Sequence, residues 1–242
     1  MKFAEKIRER ACSPGRGARP LMIAFLGDSV TQGCFEIYAT KEGSVETKFR
    51  SWQAYHHKLE RMLGELFPAV AVNVINAGIS GDNALSGRDR VLRDVIDFHP
   101  DLAVVCYGLN DVNLGLEGLS VYEEALEGIF GKLKEAGTET IFMTPNMIGT
   151  KIAEEMEIVS IRSVAEQITA HQVKGEMDVY MEKAREVCAR NEIPVCDCYA
   201  KWKQLEAWGA DVTRLLANGI NHPTENLHWL FAVSLLEMIL EF

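Results

Sequence analysis

Five short apolar runs punctuate the chain, at residues 21–26, 70–76, 102–107, 140–144 and 193–198. Most are rich in β-branched residues. Their near-continuous apolarity predicts strands buried on both faces, as in a parallel sheet. Between them, apolar positions recur at helical spacing. Trp52, Tyr55, Leu59, Met62, Leu63 and Leu66 form one stripe, stopped by Pro68. Residues 83–98 give a second, closed by Pro100. Ser120 and Glu123 predict a capping box for a helix running to Gly137. Residues 176–191 and 225–240 complete the set. Strand–helix alternation of this kind predicts right-handed crossovers and a doubly wound α/β/α sandwich on a five-stranded parallel sheet. The expected organisation is an N-terminal extension over residues 1–20 and one domain over 21–242. Residues 146–174 read as a helical insertion or lid.

Composition narrows the function classes. The 242 residues carry a formal net charge of −10, which disfavours nucleic acid and anionic membrane surfaces as partners. No run approaches the ~18 consecutive apolar residues of a membrane span, and the N-terminus lacks the apolar core of a secretory signal. The six cysteines form no Cys-x-x-Cys pair and read as reduced thiols of a cytoplasmic protein. Cys34 reads as a small buried apolar residue.

Sites in open parallel sheets lie beyond the carboxyl ends of the strands, so the turns there carry the chemistry. They hold Gly27-Asp28-Ser29-Val30-Thr31, Ala77-Gly78-Ile79-Ser80-Gly81-Asp82, Gly108-Leu109-Asn110-Asp111, Pro145-Asn146 and Asn218-Gly219-Ile220-Asn221-His222-Pro223. Acyl transfer through serine needs an exposed hydroxyl, a base and donors for an oxyanion. Ser29 fits the first need and is equally a helix cap. His222 fits the second, though a lone histidine before proline is commonly structural. Gly78 offers an approachable N–H and Asn110 a side-chain amide, and each also suits a plain turn. Their joint placement at successive strand ends favours chemistry.

These blocks, in this order, resemble the SGNH hydrolases, the GDSL family of esterases and lipases. Gly-Asp-Ser-x-Thr lies at 27–31, the glycine-bearing block Asn-Ala-Gly-Ile-Ser-Gly at 76–81, Gly-x-Asn-Asp at 108–111 and His-Pro at 222–223. The resemblance implies a flavodoxin-like five-stranded sheet, with Ser29 as nucleophile and His222 as general base. It implies the Ser29 N–H, the Gly78 N–H and the Asn110 amide as oxyanion hole, with Asp28, Asn218 and Gly219 in support. The family usually has aspartate three positions before the histidine, and here that position is Gly219. An amide such as Asn218 or Asn221 cannot supply the missing charge. The expectation is a Ser29–His222 dyad oriented by a main-chain carbonyl, with Gly219 the natural donor of that carbonyl. Asp197 and Asp211 are the candidates for a hidden third member.

Other chemistries find little support. The sequence lacks a Gly-x-Ser-x-Gly elbow, a phosphate-binding loop and a His-Glu-x-x-His pair. No cofactor and no metal are expected. The expected substrate is a small-molecule ester, most of all an acetyl ester and an O-acetylated carbohydrate. Lysophospholipids and acyl thioesters stand second, and a ligand-binding module without turnover stands third.

Overall fold

The computed structural model describes residues 1–13, 19–40, 44–154, 156 and 159–241. In chain order the elements are α1 (Lys2–Cys12), β1 (Leu21–Gly27), α2 (Ser29–Gln32), β2 (Cys34–Ala39), β3 (Val45–Phe49), α3 (Tyr55–Leu66) and β4 (Val72–Gly78). There follow α4 (Ala84–Asp94), β5 (Leu102–Cys106), α5 (Leu119–Glu135), β6 (Glu139–Met143) and α6 (Val159–Val173). The chain closes through α7 (Glu176–Asn191), β7 (Val195–Cys196), α8 (Cys198–Ala207) and α9 (His228–Leu240).

The main sheet has five parallel strands in the order β4-β1-β5-β6-β7. Relative to the sequence order of those five strands this is the flavodoxin-like arrangement, as expected. β1 and β5 are almost wholly buried because helices cover both faces. β4 departs from the expectation: it forms the sheet edge and is only partly covered. β7 is cut to two residues, since Asp197 caps α8 immediately after it.

Three further differences have local causes. Trp52 leaves the predicted packing stripe: it sits in a 3-10 turn before α3 and is 61% exposed, while Tyr55 is buried. The capping box at Ser120 and Glu123 does not form. A 3-10 turn feeds α5 from Leu119, and Glu123 instead reaches Lys183 and Arg190 of α7. The antiparallel β2–β3 hairpin has no counterpart in the sequence expectations.

The N-terminal stretch forms α1, whose Phe3 and Ile7 are buried in the same cluster as the sheet core. Its backbone N–H groups at Lys2 and Phe3 donate to Glu139 at the start of β6, so it packs at the end of the sheet opposite the site. The stretch after β6 contains α6. Ile161 and Ala165 of α6 pack against Ile220, in the turn that carries His222. Among the described residues no helix is long and apolar enough to cross a membrane.

Candidate active site

The turn after β1 holds Ser29 at the first position of α2. Asp28 is the cap: its Oδ1 accepts from the Val30 N–H at 2.9 Å. Aspartate does the capping that serine would otherwise do, so the Ser29 hydroxyl is left for other partners.

It finds one across the molecule. Ser29 Oγ lies 2.9 Å from His222 Nε2, and His222 Nδ1 lies 3.0 Å from the Phe35 carbonyl oxygen. A carbonyl only accepts, so Nδ1 carries the proton and Nε2 is the acceptor for the Ser29 hydroxyl. This is the tautomer a general base needs. Burial lowers the imidazole pKa from 6.5 to about 4, and the Phe35 carbonyl opposes that only in part.

The orienting group is therefore a main-chain carbonyl, but not that of Gly219. It belongs to Phe35 on β2, and the hairpin brings it there. Gly219 serves the turn instead: at φ +67° its N–H donates to Leu216 O at 3.0 Å. Asn218 is the turn's internal scaffold. Its Oδ1 accepts from the N–H groups of Ile220, Asn221 and His222, each at 2.9 Å. Its Nδ2 donates to Asn221 Oδ1 at 2.9 Å. Asp197 and Asp211 are both engaged elsewhere. Asp197 holds Thr144 and Arg185, and Asp211 pairs with Lys151.

The second strand-end turn requires a correction. The Gly78 N–H already donates to Asn76 Oδ1 at 3.0 Å. A Cβ on Gly78 would fall 2.2 Å from the Gln32 nitrogen, so the missing side chain lets β4 pack beneath α2. The unused donor is Gly81. It lies exposed at φ +79°, and among the described residues nothing accepts from its N–H. Its neighbours tie it to the site from both sides. Ser80 N–H donates to Gln32 Oε1 on α2 at 2.7 Å. Asn110 Nδ2 donates to the Asp82 carbonyl at 2.7 Å.

Asn110 follows β5 at the head of a 3-10 turn. Its amide nitrogen has two hydrogens, and the Asp82 carbonyl takes one. The Ser29 N–H has no acceptor among the described residues either. Three donors without an acceptor among the described residues, namely the Ser29 N–H, the Gly81 N–H and the second Asn110 N–H, thus lie in the turns that follow β1, β4 and β5. Two buried carboxylates lie behind them. Burial raises both Asp28 and Asp111 from 3.8 to about 7.

Cys34 is buried beside this turn, and burial pushes its thiol up to about 12, which removes it as a nucleophile. A cavity of about 720 Å³ borders the His222 turn, lined in part by Ile37, Tyr38, Thr213, Asn218 and Gly219.

Sequence reasoning missed the Phe35 carbonyl and the Gly81 N–H. A weak signal existed for each. Phe35 and Ile37 alternate with polar Glu36 as in a half-buried strand, and Gly81 stands in a Ser-Gly-Asp turn.

An open doubly wound sheet with serine and histidine bonded at its carboxyl edge defines a class of acyl-transfer proteins. The chain belongs to the GDSL-like lipase/acylhydrolase family, whose model matches residues 25–230. An acetylxylan esterase of Geobacillus stearothermophilus is 29% identical over 132 residues, 51% of this chain and 58% of that relative. The match therefore spans little more than half of the relative's length.

Solved structures share the fold. An acetylxylan esterase from Geobacillus stearothermophilus superposes with a TM-score of 0.64 at 23% identity, covering 90% of this chain and 94% of that one. A lipase/acylhydrolase from Enterococcus faecalis gives 0.65 at 22%, covering 91% and 96%. A two-domain esterase active on acetylated mannans gives 0.69 at 17%, covering 99% of this chain and 54% of that one.

Proposed function

We propose that this chain is a serine esterase that removes small acyl groups, acetyl foremost, from carbohydrate hydroxyls. The observation that carries the reading is the 2.9 Å contact of Ser29 Oγ with a His222 whose other nitrogen is held by the Phe35 carbonyl. Ser29 attacks the ester carbonyl and Nε2 takes its proton. The carbonyl oxygen becomes an oxyanion, received by the Ser29 N–H, the Gly81 N–H and the Asn110 amide. The imidazolium returns the proton to the leaving alcohol, and acyl-Ser29 forms. Water, deprotonated by the same imidazole, then attacks the acyl carbon, the bond to Ser29 Oγ breaks, Oγ takes the proton back from Nε2, and the acid leaves. Without a carboxylate, the imidazolium has only a carbonyl dipole to stabilise it.

The acetyl preference draws support from the relatives, two of them named for acetylated xylan and mannan. The cavity beside Asn218 is where the reading places the sugar half of the substrate. The same reading places the enzyme in the cytoplasm, supported by six unpaired thiols.

Rates on p-nitrophenyl esters from acetate to palmitate test it. The reading expects kcat/KM to be highest at acetate and to fall along the series, with acetylated xylo- and manno-oligosaccharides deacetylated. Palmitate or a lysophospholipid turned over as fast as acetate selects the lysophospholipase reading. No burst and no turnover on any ester selects a binding module.

A further inference from the structure

One buried cation ties together every chain segment that supplies an oxyanion donor. Arg90 lies on α4, and its side chain is buried. A guanidinium has five N–H groups, and each meets an acceptor. Nε donates to Asp82 Oδ2 at 2.7 Å. One terminal nitrogen donates to the Ala77 carbonyl at 2.7 Å and to Asp94 Oδ2 at 3.0 Å. The other donates to the Gly27 carbonyl at 3.0 Å and to the Tyr107 hydroxyl at 2.8 Å. That hydroxyl in turn donates to Asp82 Oδ2 at 2.8 Å.

These acceptors are not scattered. Gly27 ends β1, two positions before Ser29. Ala77 lies at the end of β4, and Asp82 adjoins Gly81. Asp82 also receives the Asn110 amide on its carbonyl. Tyr107 directly follows β5 and leads to Asn110. The three donors come from three separate strand ends, and strand pairing alone does not fix the turns beyond those ends. We infer that Arg90 is the positioning residue of the oxyanion site, and that its fork sets the spacing of the Ser29, Gly81 and Asn110 donors.

The inference rests on the esterase reading above and deepens it. It makes a statement about the transition state. A donor misplaced by a fraction of an ångström weakens the contact made when charge develops, while the neutral ester binds as before. Lysine cannot replace the fork: its three N–H groups sit on one nitrogen and cannot reach acceptors spread around a plane.

The test is Arg90→Lys, with active sites counted by the acylation burst and each rate expressed per counted site. Loss of one oxyanion donor typically costs ~10²–10³ in kcat, and Arg90→Lys is expected to cost about the lower figure, with KM unchanged. Affinity for methylboronic acid, which forms a tetrahedral anion on serine, should fall by the same factor as kcat/KM. Combined with Asn110→Ala, the loss should be smaller than the product of the two single losses, because both act on one hole. Tyr107→Phe removes a single hydroxyl from the network and should shift kcat and boronate affinity together, by less, even if Arg90→Lys folds poorly. An active wild type whose Arg90→Lys and Tyr107→Phe forms keep kcat per site and boronate affinity, losing only the folded fraction, overturns the inference and leaves Arg90 a structural anchor. A rise in KM matching the loss in kcat/KM overturns it as well. A wild-type chain that never acylates Ser29 overturns the esterase reading first, and this inference with it.

Discussion

At the scale of single residues, the account turns on what His222 leans against. Its Nδ1 meets the Phe35 carbonyl at 3.0 Å, and the two aspartates that were candidates for a third member are occupied elsewhere. Asp197 caps α8 and binds Arg185, while Asp211 faces Lys151. Asp197→Asn and Asp211→Asn should therefore each leave kcat within a small factor of wild type. Removing a true triad aspartate costs ~10⁴ in kcat, and a loss of that size in either folded variant would identify a hidden third member. The pH profile gives a second check. Burial holds the His222 pKa near 4, so the imidazole stays neutral and able to accept a proton well below neutral pH. The acid limb of kcat/KM should fall near pH 4. A limb near the ordinary value of 6.5 would mean that the ring is more solvated or faces a carboxylate.

At the scale of elements, the β2–β3 hairpin does the orienting that a side chain usually does. Arg50, at its end, holds it in shape. The Arg50 N–H donates to the Gly33 carbonyl at 2.8 Å, and its guanidinium pairs with Glu36 and Glu225. The same guanidinium lies 4.8 Å over the Phe35 ring. Arg50→Ala should loosen the hairpin and lower kcat with little change in KM, by less than Asn110→Ala does. Unchanged kcat in that variant would show that the carbonyl is held without it.

The hairpin also marks how far the sequence can be read. Ser29 and Asn110 were legible because each is a distinctive side chain just past an apolar run, and His222 because it opens a His-Pro pair before the last helix. The Phe35 carbonyl was not, because every residue has one and only the tertiary path selects it. The choice between Gly78 and Gly81 was illegible for a related reason. It depends on which N–H is already used, and Asn76 decides that through a local side-chain bond. The capping pattern at Ser120 failed because the preceding 3-10 turn continued straight into the helix, and Glu123 gained more by facing the cations of α7.

At the scale of the whole molecule, the site is a stored cost within a continuous core. Asp28 and Asp111 are buried, and each has an oxygen without a hydrogen-bond partner. Their folded pKa values, about 7, lie above the unfolded value of 3.8. The fold thus favours the protonated forms. The stability they contribute is complete below pH 3.8 and is lost as pH rises through about 7. Wild-type Tm should therefore fall as pH rises from about 4 to about 7, and Asp28→Asn combined with Asp111→Asn should flatten that fall. Asparagine keeps the Oδ1 acceptor for the Val30 and Ala84 N–H groups. A double variant whose Tm difference from wild type is the same at both pH values would contradict this placement of charge.

The central claim is that Ser29 carries the acyl group. Mass spectrometry on a rapidly quenched reaction with p-nitrophenyl acetate measures it directly. The account predicts one acetyl group per chain, on the peptide that contains Ser29, formed in the burst and lost during turnover, and absent from Ser29→Ala. An acetyl group on any other residue, or a Ser29→Ala chain that hydrolyses the ester at wild-type rate, would contradict it.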